Sequence, residues 1–140
     1  MNVNYLVAKQ LYELGFTYQY YENNIETGMV FSDGETEYII GGDPAKSISN
    51  TDMEKIKDFI WLPSVGHLIE WLKENDFIFT ISCENVFFDI RCQDIITQRE
   101  YHTKVPTLDY ALAVIIKKIL KKKERDFDYF QKTVYIIDEE

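Results

Sequence analysis

The sequence predicts an α+β fold, with antiparallel β-meanders packed against amphipathic helices. Three observations carry this: a capped helical stripe at 64–75, two period-two runs directly after it, and an Asp-Gly turn between two earlier apolar runs. A partial αβα sandwich with a repeated helix-and-meander unit is one form of the same expectation.

Residues 3–14 place Val3, Leu6, Val7, Leu11 and Leu14 on one helical stripe, which Gly15 should end. Phe16 to Tyr21 then reads as an aromatic strand. Gly28–Ser32 and Glu35–Ile40 bracket Asp33-Gly34, one of the stronger short hairpin signals. Gly41–Asn50 has Gly-Gly, Asp-Pro and a Ser/Asn cluster, so it reads as loop. It lacks the lysine and spacing of a phosphate cradle. Thr51 with Glu54 three residues on is a capping-box signature for a short helix through Phe59.

From Trp61 to Tyr101 the pattern is most explicit. Val65, Leu68, Ile69 and Leu72 recur at helical spacing, Trp71 widens the stripe, Ser64 is placed to cap it, and Asn75 to make a left-handed exit. Then Phe77, Phe79 and Ile81 alternate with Ile78, Thr80 and Ser82, and Val86, Phe88, Ile90 and Cys92 alternate with Phe87, Asp89 and Arg91. A two-residue turn at Glu84-Asn85 would set Ile81 against Phe88, although Asn suits the first turn position better. A second turn at Gln93-Asp94 would set Asp89 against Gln98. The expected apolar face is Phe79, Ile81, Val86, Phe88, Ile90, Cys92, Ile95 and Tyr101; the wet face is Thr80, Ser82, Asp89, Arg91, Gln98, Glu100 and His102.

Thr107–Lys123 is the next long helix, with Leu108, Ala111, Leu112, Ile115 and Ile119 on one face. Lys117, Lys118 and Lys121 to Lys123 crowd what should be its final turns, where the helix dipole favours cations. The segment 124–140 is too apolar for a disordered acidic tail. Val134–Ile137 is expected to be a terminal strand or arm, joining a sheet edge in this chain or in a homodimer partner. Glu13 to Tyr18 echoes Glu74 to Phe79 at the same helix-to-strand junction, which suggests the repeat. The whole chain, 1–140, reads as a single domain: 1–42 helix plus meander, 61–123 helix, meander and helix, then the terminal strand.

At 140 residues the chain can bury a full core. One such core is expected from Val65, Leu68, Leu72, Phe79, Ile81, Phe88, Ile90, Leu112, Ile115 and Ile119. The net charge of -9 is distributed as -6 over 1–60, +1 over 61–123 and -4 over 124–140. That balance argues against binding a nucleic-acid backbone and for solubility or a basic partner surface. Two cysteines, Cys83 and Cys92, read as buried free thiols in a reducing compartment. With no basic-then-apolar leader and no membrane-length apolar run, a cytoplasmic location and no membrane association are expected.

No catalytic motif is present. His67 and His102 are the only histidines, without metal-ligand spacing around either, and no nucleophile elbow occurs. No metal, no cofactor and no enzymatic activity are expected. The polar patch of Thr80, Phe87, Asp89, Arg91, Gln98, Glu100 and His102 is the candidate binding surface, suited to a polar ligand or to a partner's side chains; the alternative is a plain solvated ladder with no ligand.

The run LPSVGHLIEWLKENDFIFTI, the meander after it and VPTLDYALAVIIKKIL resemble small phage and prophage proteins of the phage ABA-sandwich type, over residues 61–123. Those have a Pro-(Ser/Thr)-x-x-x-Ala helix start after a sheet, as Pro106 to Ala111 has. The resemblance implies an antiparallel sheet between helical layers and no known chemistry; the N-terminal half lies outside it. The function so implied is a non-catalytic phage or prophage accessory protein that binds a host protein, in the sense of an inhibitor of bacterial defence. Two alternatives are a sponge for a nucleotide-like ligand, held by aromatic side chains and Arg91 or Arg99, and a toxin-immunity protein.

Overall fold

The computed structural model describes residues 2–16, 28–40, 47–48 and 59–138, with side chains as far as Lys123 and, for 47–48, the backbone alone. The expected strand beyond Phe16 and the helix at 51–58 lie outside the described residues. Within them the fold is α+β, with a four-stranded sheet in the order β3-β2-β1-β4 and a three-stranded meander in the order β5-β6-β7. The elements are α1 (Tyr5–Glu13), β1 (Val30–Ser32), β2 (Glu37–Ile40), β3 (Ser47–Ile48), β4 (Ile60–Leu62), α2 (Val65–Glu74), β5 (Phe77–Glu84), β6 (Phe87–Asp94), β7 (Glu100–Val105) and α3 (Leu108–Asp138).

Asn4 caps α1 by accepting from the Val7 amide at 2.9 Å, which starts the helix two residues later than the apolar stripe suggested. Its buried face is Val7, Ala8 and Leu11; Leu6 is 72% exposed, a correction to the stripe drawn through it. The Asp33-Gly34 hairpin forms with a four-residue loop, since Ser32 pairs with Glu37. The cause is local: Asp33 Oδ1 accepts from both Glu35 and Thr36 amides at 2.9 Å, an Asx turn that draws two more residues into the loop. Gly34, at φ 102°, lies against the Tyr5 ring, where an added Cβ would come within 3.2 Å.

Two strands were not expected. Ser47–Ile48, inside the segment read as loop, pairs in parallel with Ile39–Ile40. Ile60–Leu62 pairs antiparallel with β1, Phe31 opposite Trp61. The signal for it is a short β-prone run ended by Pro63, hidden beside the stronger helix signal that follows.

The α2 ends follow the expected chemistry with one shift. Ser64 and His67 form a reciprocal cap, Ser64 Oγ accepting from the His67 amide and His67 Nδ1 from the Ser64 amide. The left-handed residue at the exit is Asp76, φ 63°, while Asn75 stays at φ -100°. This repeats α1, where left-handed Gly15 precedes buried Phe16 as Asp76 precedes buried Phe77. Both phenylalanines meet the Trp71 ring, Phe16 edge-on at 5.7 Å and Phe77 stacked at 6.0 Å.

In the meander Glu84 pairs with Phe87, so the turn is Asn85-Val86, with Asn85 first and left-handed at φ 57°. Gln93 pairs with Glu100 and the second turn spans Ile95–Gln98. Both registers differ from the expected ones by an even number of residues, so each side chain that stays within a strand keeps its face. Phe77, Ile90, Cys92 and Thr103 are buried, and Phe79, Phe88, Tyr101 and Val105 pack against the core. Val86 and Ile95 are corrections, because both fall in turns and are exposed, as are Ile81 at the open strand end and Cys83.

The α3 helix packs against α1, α2, β6 and β7 and forms the hub of the molecule. Ala111, Leu112, Ala113, Ile115, Ile116, Ile119 and Leu120 are buried along it. It continues to Asp138, which overturns the expected terminal strand at Val134–Ile137. Phe127, Phe130, Val134 and Ile137 recur at three and four residues, a helical period that outweighs the β-propensity of Val134-Tyr135-Ile136-Ile137. Of the ten expected core residues, Leu68, Leu72, Ile90, Leu112, Ile115 and Ile119 are fully buried, Val65, Phe79 and Phe88 pack partly buried beside them, and Ile81 does not belong.

Candidate functional site

The α2 and α3 helices lie on one face of the meander, and its other face is open among the described residues. Strand alternation decides what that open face carries: Ile78, Thr80 and Ser82 from β5, Phe87, Asp89, Arg91 and Gln93 from β6, and Glu100, His102 and Lys104 from β7. Thr80, Arg91 and His102 form one cross-strand row; Ser82, Asp89 and Lys104 form the next.

Asp89 is the centre of the polar network. Its Oδ1 lies 2.9 Å from His102 Nε2 and 3.8 Å from Arg91 Nε. Asp89 has a side-chain exposure of only 18% and is bonded to His102, whereas Arg91 is 73% exposed and stands at ion-pair distance with its guanidinium facing outward. Beside the row, Lys104 Nζ sits 5.9 Å from the centre of the half-exposed Phe87 ring. Ile78, Thr80, Arg91, Gln93, Glu100 and His102 contribute to a shallow groove of about 240 Å³.

Six of the seven sequence-derived candidates therefore share this face: Thr80, Phe87, Asp89, Arg91, Glu100 and His102. Gln98 does not. It sits in the β6–β7 turn at φ 64°, its amide bonded to the Asp94 carbonyl at 2.8 Å. Its expected place in β7 fails because the turn is longer than two residues: Asp94 Oδ1 accepts from the Ile96 and Thr97 amides and holds a wider loop. Those amide bonds, with the Thr97 side chain and the Lys123 charge, outweigh burial and hold the Asp94 carboxyl below its usual value. Sequence reasoning passed over Ile78 and Lys104 on this face; strand parity was the signal that could have included both.

His67 is engaged in its helix cap and against Trp61, with ring centroids 5.1 Å apart. Buried Cys92 has its thiol pushed up to about 11 by burial and the Asp94 charge, which leaves it inert as a nucleophile at neutral pH. Among the described residues no group of three or more His, Cys, Asp or Glu is placed to hold a metal ion. No helix of the described residues is long and apolar enough to cross a membrane.

No protein-family model, no curated protein and no solved structure matches the chain.

Proposed function

We propose that the chain is a non-catalytic binding protein whose open meander face docks a partner protein. The observation that carries this is the form of that face. Asp89, Arg91 and His102 make a fixed polar centre, with Ile78 and Phe87 as apolar flanks, on a shallow surface rather than in an enclosed pocket. Protein interfaces combine such an arginine and aromatic anchor with a polar surround, whereas small-ligand sites enclose most of their ligand. The resemblance over 61–123 supplies the biological form of the reading: a phage or prophage accessory protein acting on a host protein, with inhibition of a bacterial defence protein as its purpose.

The test compares baits in lysate of a bacterial host. Wild-type protein, Arg91→Ala and Phe87→Ala are used in parallel, and the captured protein is then purified for calorimetry. A partner held by wild type and released by both variants supports the proposal. A partner held equally by all three places the binding surface elsewhere.

A further inference from the structure

The lysines of α3 need a new account. As the end of a helix they would answer the negative dipole, but α3 runs on for 15 residues beyond Lys123, about 22 Å at 1.5 Å per residue. The dipole effect fades within a turn of the terminus, so it does not reach them. Lys117 and Lys121, Lys118 and Lys121, and Lys118 and Lys122 stand three or four residues apart, the spacing at which like charges on a helix oppose folding. The crowding is felt: burial and then the Lys121 charge hold the Lys117 ammonium below its usual value.

A groove of about 470 Å³ opens beside this cluster, where α3 packs against β7, and shares Glu100 and Tyr101 with the groove on the open meander face. It is lined by Lys118, Lys121 and Lys122 from α3, by Arg99 from the β6–β7 turn and by Glu100 and Tyr101 from the start of β7. Among the described residues four cations and one carboxylate therefore meet there, in a molecule of net charge -9. The walls are held in place. Lys118 Nζ donates to the His102 carbonyl at 2.8 Å, and the Arg99 carbonyl accepts from the Asp94 amide at 2.9 Å, closing the turn that carries the guanidinium. The groove is open to solvent, as a site for a strongly hydrated polyanion can be, and mixed Lys and Arg donors from two elements suit adjacent phosphate groups.

We propose that this groove binds a small molecule carrying two or more adjacent phosphates, through Arg99, Lys118, Lys121 and Lys122. A ligand that binds the folded protein raises its stability, so binding should be visible as a shift in melting temperature.

Calorimetry of the full chain in about 50 mM salt, where screening leaves the site its reach, uses sodium tripolyphosphate, ATP, orthophosphate and a short oligothymidine as separate probes. Saturable binding of tripolyphosphate or ATP is expected, with orthophosphate much weaker. The K118Q/K121Q variant should weaken it on the order of tenfold or more, as loss of charge-assisted bonds does, while K73Q, outside the groove, leaves it unchanged. The same ligands should raise the melting temperature of wild type and not of K118Q/K121Q. If that variant does not fold, Arg99→Gln in the loop carries the comparison. The proposal is overturned by absence of saturable binding, by equal weakening in K73Q, by orthophosphate binding as tightly as tripolyphosphate, or by an oligothymidine that outcompetes ATP at the same lysines.

Discussion

Strands β1 and β4 of the first sheet and the strands of the meander meet solvent in opposite ways. In the first, neighbouring residues Trp61 and Leu62 are both buried, although strand alternation points them to opposite faces, and Phe31 beside them is fully buried. The β4 strand is therefore covered on both sides, with α1 packed against it. The meander is covered by helices on one side only, and its outer residues face water along all three strands. A sheet buried on both faces can change few residues without losing packing. A sheet buried on one face is free to vary every second residue, so the meander is where a binding function can be carried at little cost to the fold.

The sharpest test of that contrast sets a phenylalanine from each sheet side by side. Phe31→Ala should cost about 3–5 kcal/mol, whereas Phe87→Ala on the open face should cost about 1 kcal/mol or less. Urea midpoints would measure both; equal losses would remove the distinction. On the helix-facing side of the meander the same logic separates covered from uncovered positions. Leu72→Ala, beneath the sheet in α2 and fully buried, should cost about 2–5 kcal/mol, and Ile81→Ala, 36% exposed at the sheet end, should cost less. A Leu72→Ala protein with wild-type stability would displace α2 from the core.

The faces were legible in the sequence although the turns were not, and the reason is arithmetic. A strand slipped by two residues keeps every side chain on its side, so the expected and observed registers, Ile81 against Phe88 or against Ile90, give the same core and the same wet face. Turns depend on single side-chain bonds. Asp33 and Asp94 each accept two amides and widen their loops, a choice that periodicity does not encode. Gln98 was misplaced for that reason alone. The β4 strand was missed because three residues carry too little period to compete with a neighbouring helix signal, and α3 was cut short because its lysines looked like a terminus. That same misreading hid the groove beside Arg99.

Arg91→Ala tests the open face as a binding surface and as a surface. Stability should stay within about 0.5 kcal/mol, since the side chain is exposed. Affinity for the captured partner should fall by about 1–3 kcal/mol, the usual loss for a charge-assisted hydrogen bond. Calorimetry and urea unfolding together decide: a variant that loses stability instead of affinity would make the Asp89 network structural.

The two cysteines report a contrast along one face at the level of single atoms: Cys83, opposite Phe88, and Cys92, opposite Phe79, both belong to the helix-facing side of the meander, and only Cys92 is covered. Cys83 is exposed and Cys92 buried, its thiol raised to about 11. A thiol reagent at neutral pH should modify Cys83 in the native protein and reach Cys92 only on unfolding. Mass spectrometry of the labelled peptides checks the order; rapid native labelling at Cys92 would mean that the covered face opens.

The smallest effect expected concerns the turn that joins β6 to β7 and sets where Arg99 stands. Asp94 Oδ1 receives the Ile96 and Thr97 amides, at 2.9 and 3.2 Å, while Gln98 takes up a left-handed backbone to close the loop. Asp94→Asn keeps an acceptor oxygen in place and removes the charge, so it isolates the electrostatic part of the turn. Because the folded carboxyl titrates below its ordinary 3.8, the ionised form stabilises the fold above that value, and the contribution is lost as pH falls through the lower, folded value. The stability gap between wild type and Asp94→Asn should therefore be constant near neutrality and should shrink below about pH 3.8. Urea unfolding at pH 7 and pH 3 measures it. A gap that stays the same in acid would assign the turn to amide geometry alone, and the β6–β7 corner would then hold Arg99 over its groove without help from charge.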